Sequence, residues 1–405
     1  MKNLKVLAGA IALASGAVAG AAEVAPEHPL AWSEIEAALE RDPRVSAAQA
    51  RASAADASVS AAGAIPNPEL ELAAGHAQAR EGGDAGGEWE LAVTLPLDWL
   101  ARRGPAVDAA RAGADEARAG REALRAEVRV ALWTLFVEAG HAQTELSTLV
   151  ATAQQVEALA GLVRRRVEAG EGRPIEITRT EAELERVRAE VAAAQASQDQ
   201  ALAALGAWLG GPVGSVAPAP SLPELPPAEA DGLARHPRVR AALARAAGAQ
   251  ADAVGAHRAR LPAFSVGAYR ASELDRDAVG GRLTLELPLW NWKGGEVRRA
   301  EALAQAAAAE AEAERRAVEA ERASAAAACR RARDSAGRQE KSVLPLAESA
   351  ARTLERTFQL GEVGLLDVLD ARRVLLDARR EALSSARERD LVCGALHLLA
   401  GQDLP

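Results

Sequence analysis

FQLGEVGLLDVLDARRVLLDARR, residues 358–380, decides the fold. A long heptad-patterned segment ends at Leu360, the chain turns through Gly361 and Gly364, and a second helix opens at Leu365 carrying Asp367 and Asp370. Residues three apart on a helix share a face, and the first turn is where the backbone dipole best tolerates negative charge. Helix capping alone would account for both carboxylates. A second copy argues for more. Between Val163 and Arg179 the chain reads VRRRVEAGEGRPIEITR, which sets Gly170, Glu171, Ile175, Glu176 and Ile177 opposite Gly361, Glu362, Leu366, Asp367 and Val368. Two helical hairpins of one design are predicted, one in each half.

Working outward, the helices that feed these turns are long. After Pro105 no proline interrupts the chain to Ala169, and apolar or alanine positions step by three and four through Val128, Ala131, Leu135, Ala139, Ala142, Leu146, Leu149, Ala153, Val156, Ala160, Val163 and Val167, a heptad seam. Unbroken, that segment reaches roughly 100 Å, and it returns through Ile175–Leu209. In the second half the long helix spans about Gly295–Leu360, with a seam expected at Val343, Leu346, Ala350, Thr353, Thr357 and Leu360 and a kink near Ser342 caused by Pro345. Its return helix runs from Leu365 to Ala400, ending at Gly401.

The duplication continues upstream. RHPRVRAALARAA (235–247) matches RDPRVSAAQARAS (41–53) at nine of thirteen positions, including a shared Pro-Arg-Val. After each of these helices the period changes to two. Glu69–Ala74 and Glu88–Leu95 alternate, with Trp89, Leu91, Val93 and Leu95 on one face and Glu88, Glu90 and Thr94 on the other. Phe264–Tyr269 and Arg282–Trp290 repeat this, Leu283, Leu285 and Leu287 opposing Arg282, Thr284 and Glu286. Polar loops join each pair (80–87, and Glu273, Asp275, Arg276 and Asp277), and LPL tripeptides at 95–97 and 287–289 close both hairpins. Isolated hairpins are marginal, so these need partners. Joined to strands of sister chains they close a barrel with one face to lipid and one to a polar lumen. Trp99, Trp290 and Trp292 past one end, with Trp89 and Tyr269 toward the other, fit the aromatic girdles of such a barrel, although a small soluble sheet would also bury tryptophans. The proposed organisation is a leader at 1–21, a first repeat at 22–210, a Pro-rich linker at 211–227 and a second repeat at 228–405.

Composition narrows the class. The opening MKNLKVLAGAIALASGAVAGAAE reads as an export signal, with two lysines, an apolar run from Val6 to Val18 too short to span a bilayer, and small residues before the cleavage point. Losing Lys2 and Lys5 with that signal takes the formal net charge from -9 to about -11. An acidic exported chain is a poor nucleic-acid binder. No later apolar run of membrane length is expected, so insertion must be by strands. The bias to alanine, arginine, glutamate and leucine, with one tyrosine and three phenylalanines, signals long helices rather than a conventional globular core. Cys329 and Cys393 both fall in predicted helices with no metal-ligand spacing; they would pair only if the fold joined them, and two buried thiols is the default. Outside the leader there is no methionine to serve as a soft metal ligand. His28, His76, His141, His236, His257 and His397 are scattered, and no catalytic or phosphate-binding spacing exists, so neither enzyme nor cofactor is expected.

Helix, hairpin strands, long helix and return helix, twice over behind a signal, resemble the TolC-like outer-membrane efflux family across essentially the whole mature chain. The carrying residues are PNPEL (66–70), the two LPL strand ends and the G-x-x-x-x-[IL]-[DE]-[IV] turns at Gly170 and Gly361. GEVGLLDVLDARRVLLDAR is similar to the family's second periplasmic turn, and NPEL to its heavy-metal (CzcC-like) branch. The resemblance implies a mainly α fold with a membrane β-barrel portion: a homotrimer with four strands per chain in a 12-stranded barrel and the helical hairpins in an α-barrel through the periplasm. It further implies outer-membrane lipid around the barrel, a periplasmic adaptor, an inner-membrane pump of the RND type or similar, and acidic residues ringing the entrance. Asp367 and Asp370 match those acids; Glu176 takes the site in the first half, where Arg179 replaces a second acid. Phe358 and Val363 stand where some members carry a tyrosine and an arginine that latch the gate, and the family's frequent lipid-bearing cysteine is missing. The expected role is a passive exit duct, for heavy-metal cations or small toxic molecules. A conduit for type I protein secretion and a periplasmic coiled-coil scaffold are the alternatives.

Overall fold

The computed structural model describes residues 28–78, 85–224, 231–273, 276–400 and 404; the leader and the hairpin loop at 79–84 lie outside them. One pattern runs twice. In the first half a short helix α1 (Trp32–Ala38) precedes α2 (Pro43–Ala62), strands β1 (Glu69–Gln78) and β2 (Ala85–Pro96), the 70-residue α3 (Trp99–Glu168) and its return helix α4 (Pro174–Leu209). In the second, a single turn α5 (Asp231–Ala234) leads to α6 (Pro237–Arg258), β3 (Ala263–Ser272), β4 (Asp277–Glu286), α7 (Gly294–Arg338), a π turn (Gln339–Val343), α8 (Leu344–Gln359) and α9 (Leu365–Leu399). α2 and α6 start alike, with proline in the first turn, where its missing N–H costs nothing. Asp42 caps α2 by accepting from the Arg44 amide at 2.8 Å.

The first long seam is present: Val128, Ala139, Leu149, Val156, Ala160 and Val163 are buried and the remaining positions are half-buried or nearly so. The second is displaced by one residue. Ala347, Ala351 and Phe358 are buried with Leu344 and Leu354 beside them, whereas Leu346 and Leu360 are 72% and 68% exposed. Both sets have helical spacing, and α9 covers the alanine-rich one because small side chains let the backbones approach. The break before Pro345 takes the form of the π turn, which contains Ser342. Contrary to the expectation of no membrane-length apolar run, α3 does contain an 18-residue stretch of mean hydropathy 1.2. About a third of that stretch is buried within the chain.

The core lies midway along the molecule, where α1, the middle of α3 and the ends of α4 and α9 meet. Trp32 stacks edge-on against Trp133 at 5.0 Å, and Phe136 leans on both at 5.8 Å. Three of the chain's few aromatics are thus concentrated at one level. The Trp133 indole N–H donates to the Asp390 carbonyl at 2.8 Å, and Gly394 lies flat beneath the ring. Residues 211–224 are a packed strap across this core rather than a loose tether. Gln143 both accepts from the Val216 amide and donates to its carbonyl, Leu30 and Val216 form a bridge, and His397 meets the Pro223 carbonyl at 3.0 Å. Cys329 and Cys393 are joined in a disulfide, which corrects the expectation of free thiols. α7 and α9 run side by side at this level, with Cα atoms 4.9 Å apart, and 64 residues of chain close into a loop. An exported chain supplies the oxidising setting that preserves such a bond.

All four strands form one antiparallel sheet in the order β1-β2-β3-β4, so the hairpins are joined to each other through β2 and β3. One face holds Leu70, Leu72, Trp89, Leu91, Val93, Phe264, Val266, Val279, Leu283 and Leu285, in register and all at least 38% exposed. Glu69, Glu71, Glu88, Glu90, Thr94, Arg282, Thr284 and Glu286 alternate onto the other.

Gly394→Ala should lower the thermal midpoint, by about 1–3 kcal/mol of stability, since its Cβ would fall 2.0 Å from the Trp133 indole nitrogen. Gly337→Ala in α7, with open space around it, should raise stability slightly through helix propensity. Equal effects in calorimetry would contradict this account.

Candidate functional site

The two hairpin turns lie side by side at the end of the helices remote from the sheet, and they share one backbone solution. Gly170 and Gly361 adopt φ of +80° and +79°, a left-handed geometry that penalises any Cβ. Around each glycine the amides close the helix in the same way: Gly170 to Val167 and Glu171 to Arg166, Gly361 to Phe358 and Glu362 to Thr357, at 2.8–3.0 Å. This is the Schellman closure. Gly364, the other glycine of the second turn, needs no such freedom. Its φ of -81° and ψ of 160° are extended and open to any residue; it serves as the N-cap of α9.

Asp367 occupies the third position of α9 and accepts from the Gly364 amide at 3.0 Å, so it caps the helix while remaining exposed. Asp370 is exposed one turn further along the same face. Glu176 holds the corresponding position in α4 but is folded onto its own turn, with Arg173 at 3.5 Å and only 18% of its side chain exposed. The structure therefore brings Asp367 and Asp370 together as uncovered carboxylates and leaves Glu176 compensated, beside an exposed Arg179.

What joins the turns is a residue not singled out from sequence. Arg166, in the last turn of α3, donates from Nη1 to the Phe358 carbonyl at 2.9 Å and lays its guanidinium 4.9 Å from the Phe358 ring centre. Phe358 is buried with Leu159, Val163, Leu365, Val368 and Leu369. The only sequence signal is a basic residue in a final helical turn, favoured there by the dipole.

Above the turns, α4 and α9 are linked by charge. Glu183, 6% exposed, accepts from Arg186 at 2.6 Å and from Arg373 across the groove at 2.7 Å; Glu190 likewise accepts from Arg380 at 2.8 Å. Burial pushes the Glu183 carboxyl up, but hydrogen bonds from Arg186 and Arg373 outweigh it and hold it at about 2 instead of 4.5. Arg373 thereby hydrogen-bonds Glu183, while the charge of Asp370 also acts on it through space.

At the sheet end, Trp89 is exposed on the apolar face, and Trp99 begins α3 half-buried. Trp290 and Trp292 follow β4, 92% and 57% exposed. Tyr269 departs from the girdle expectation. Its register partners Ala92 and Gly280 put it on the polar face, where Arg282 lies over its ring at 5.5 Å and also bonds Glu90. Alternation fixes which side a residue takes, and Tyr269 is one position out of phase with Phe264 and Val266.

A sheet sorted into apolar and acidic faces, carried on helical hairpins of this length, defines a channel-forming outer-membrane protein. The chain belongs to the outer membrane efflux protein family, whose sequence profile matches residues 35–211 and 230–402, and its place is the outer membrane. The cobalt-zinc-cadmium resistance protein CzcC of Cupriavidus metallidurans (strain CH34) is 27% identical over 323 residues, 78% of this chain and 76% of its own length. Among solved structures, CusC superposes with a TM-score of 0.80 at 19% identity over 92% of both chains. VceC of Vibrio cholerae does so at 0.76 and 21% over 92% of this chain and 97% of its own.

The depressed Glu183 carboxyl sets a pH dependence. Its ion pairs stabilise the α4–α9 seam fully above about pH 4.5, and that contribution is lost as the pH falls toward about 2. Glu183→Gln should cost about 1.5–3 kcal/mol at neutral pH and flatten this acid limb in denaturant titrations. An unchanged acid limb would show that the pairs contribute nothing.

Proposed function

We propose that three copies of this chain form a passive exit duct for heavy-metal cations, fed by an inner-membrane pump of the RND type or similar through a periplasmic adaptor. The observation that carries the reading is the sheet: apolar on one face, acidic on the other, with β1 and β4 unpaired along their outer edges among the described residues. In hydrocarbon every backbone N–H and C=O must find a partner, so such edges close only against other strands. Three sheets of four strands make a twelve-stranded barrel. A second stripe supports association. Ile175, Leu346, Leu360, Leu366 and Val374 are each more than half exposed in the single chain, along helices otherwise zipped by ion pairs.

Three copies of Asp367 and Asp370 then ring the narrow end of the helical tunnel. Crowded carboxylates raise one another's proton affinity, yet a partly ionised ring still draws cations and repels anions. The relative named for cobalt-zinc-cadmium resistance agrees with that sign. Energy comes from the pump; this chain opens and closes. With Phe358 in place of a tyrosine latch, the closed turn is held by its apolar cluster and by the Arg166 bond.

Planar-bilayer reversal potentials test the ring. Asp367→Asn keeps the acceptor that caps Gly364 while removing the charge, and Asp370→Asn removes the second. The double variant should lose most of the wild-type preference for potassium over chloride, each single variant part of it. An unchanged permeability ratio would refute the selectivity ring.

A further inference from the structure

The apolar face of the sheet carries one arginine, with Asp277 one row above it. In the row of that face nearest the tips that is otherwise apolar, Leu91, Arg270 and Val279 stand side by side. The next row toward the tips holds Ala74, Trp89, Ser272 and Asp277, and turns polar on β3 and β4. Arg270 thus marks the level at which the face changes character. It is exposed and makes no hydrogen bond or ion pair with any described residue, although Asp277 lies in the adjacent row on the neighbouring strand.

Its strand is interior. β3 is hydrogen-bonded to β2 on one side and β4 on the other, so another copy of the chain reaches the sheet only at β1 or β4. Whatever meets the outward side of β3 is not a subunit. From Phe264 to Arg270 is six residues, which in a strand tilted by about 40° is a climb of roughly 15 Å. The apolar surface continues below Phe264 through the exposed Leu287, Leu289 and Trp290. A band about 25 Å tall laid over these residues has its upper edge at Arg270 and Trp89. A lipid-facing arginine is costly at the bilayer midplane and nearly free at the interface. Its planar fork of donors matches phosphate oxygens in pairs.

We propose that Arg270 binds a phosphomonoester headgroup, whose oxygens no choline of its own screens, on a lipid in the outward-facing leaflet, with the Trp89 indole packed beside the same headgroup. The proposal rests on the lipid-facing reading of this face, and Trp89 reports on both. Wild type, Arg270→Lys and Arg270→Gln are reconstituted in phosphatidylcholine vesicles containing equal mole fractions of either brominated phosphatidic acid or brominated phosphatidylcholine. The Trp89 signal is taken as the difference from the same protein carrying Trp89→Phe. Brominated phosphatidic acid should quench Trp89 severalfold more strongly than brominated phosphatidylcholine in wild type. Arg270→Lys should keep part of that preference and Arg270→Gln none. Equal quenching by the two lipids in wild type, or a preference that survives Arg270→Gln, overturns the phosphate site while leaving the barrel intact. Trp89 unquenched by either lipid overturns the lipid-facing reading together with the site.

Discussion

Backbone hydrogen bonds that a single chain leaves unmade are the constraint on which the molecule depends. Ten register pairs between β1 and β2, and ten between β3 and β4, satisfy the inner edges of the sheet. Among the described residues the outer edges of β1 and β4 have no such partners. In water an open edge is an aggregation hazard; in hydrocarbon it is prohibitive. A sheet with one apolar and one acidic face also has no soluble way to bury the apolar side, since no described helix covers it. The proposed closure with further copies inside a membrane would resolve both difficulties at once, and the long helices would then be the part that stays in water.

Holding two such different parts in register falls to the middle of the chain. There the few aromatics, the strap at 211–224, the buried Arg129–Glu36 pair and the Cys329–Cys393 bond all act on a narrow level. Away from it the interhelical contacts are alanine seams and surface ion pairs, each weak alone, together with the Phe358 cluster at the turns and the buried Glu183 above them. A core concentrated at one level suits a structure whose ends do separate tasks. The sheet and the turns can each be altered without disturbing the other, provided α3 and α9 stay clamped around Trp133.

Periodicity alone makes most of the architecture legible. A three-four repeat and a two-residue repeat cannot be confused over segments of this length, and the two left-handed glycines announced both turns. What stayed hidden depended on choices between equivalent surfaces. Two helical stripes of α8 had comparable spacing, and only packing against α9 selected the one through Ala347 and Ala351. Distance from the loop places Tyr269 at the girdle, whereas its phase puts it on the polar side. Cys329 and Cys393 are separated by 64 residues, and no local signal shows that α7 and α9 meet there. Arg166 lies among three consecutive arginines, and sequence gives no way to tell which of them reaches the other turn.

The duplicated turns also show how a repeat is divided between structure and function. Both keep the glycine and its hydrogen bonds, because backbone closure admits little variation. Their charges have diverged. Arg173 folds onto Glu176 in the first, and Arg179 replaces the acid one turn on, so that turn is close to neutral. In the second, Asp367 and Asp370 are left without a basic side chain of their own, because the nearby Arg373 is held by Glu183. Glu183 lies in the first half, so that half competes with Asp370 for Arg373 and takes its hydrogen bond. An assembly of three chains would then alternate neutral and acidic turns around its narrow end. The field at the entrance would have threefold symmetry, although six turns of nearly the same backbone surround it.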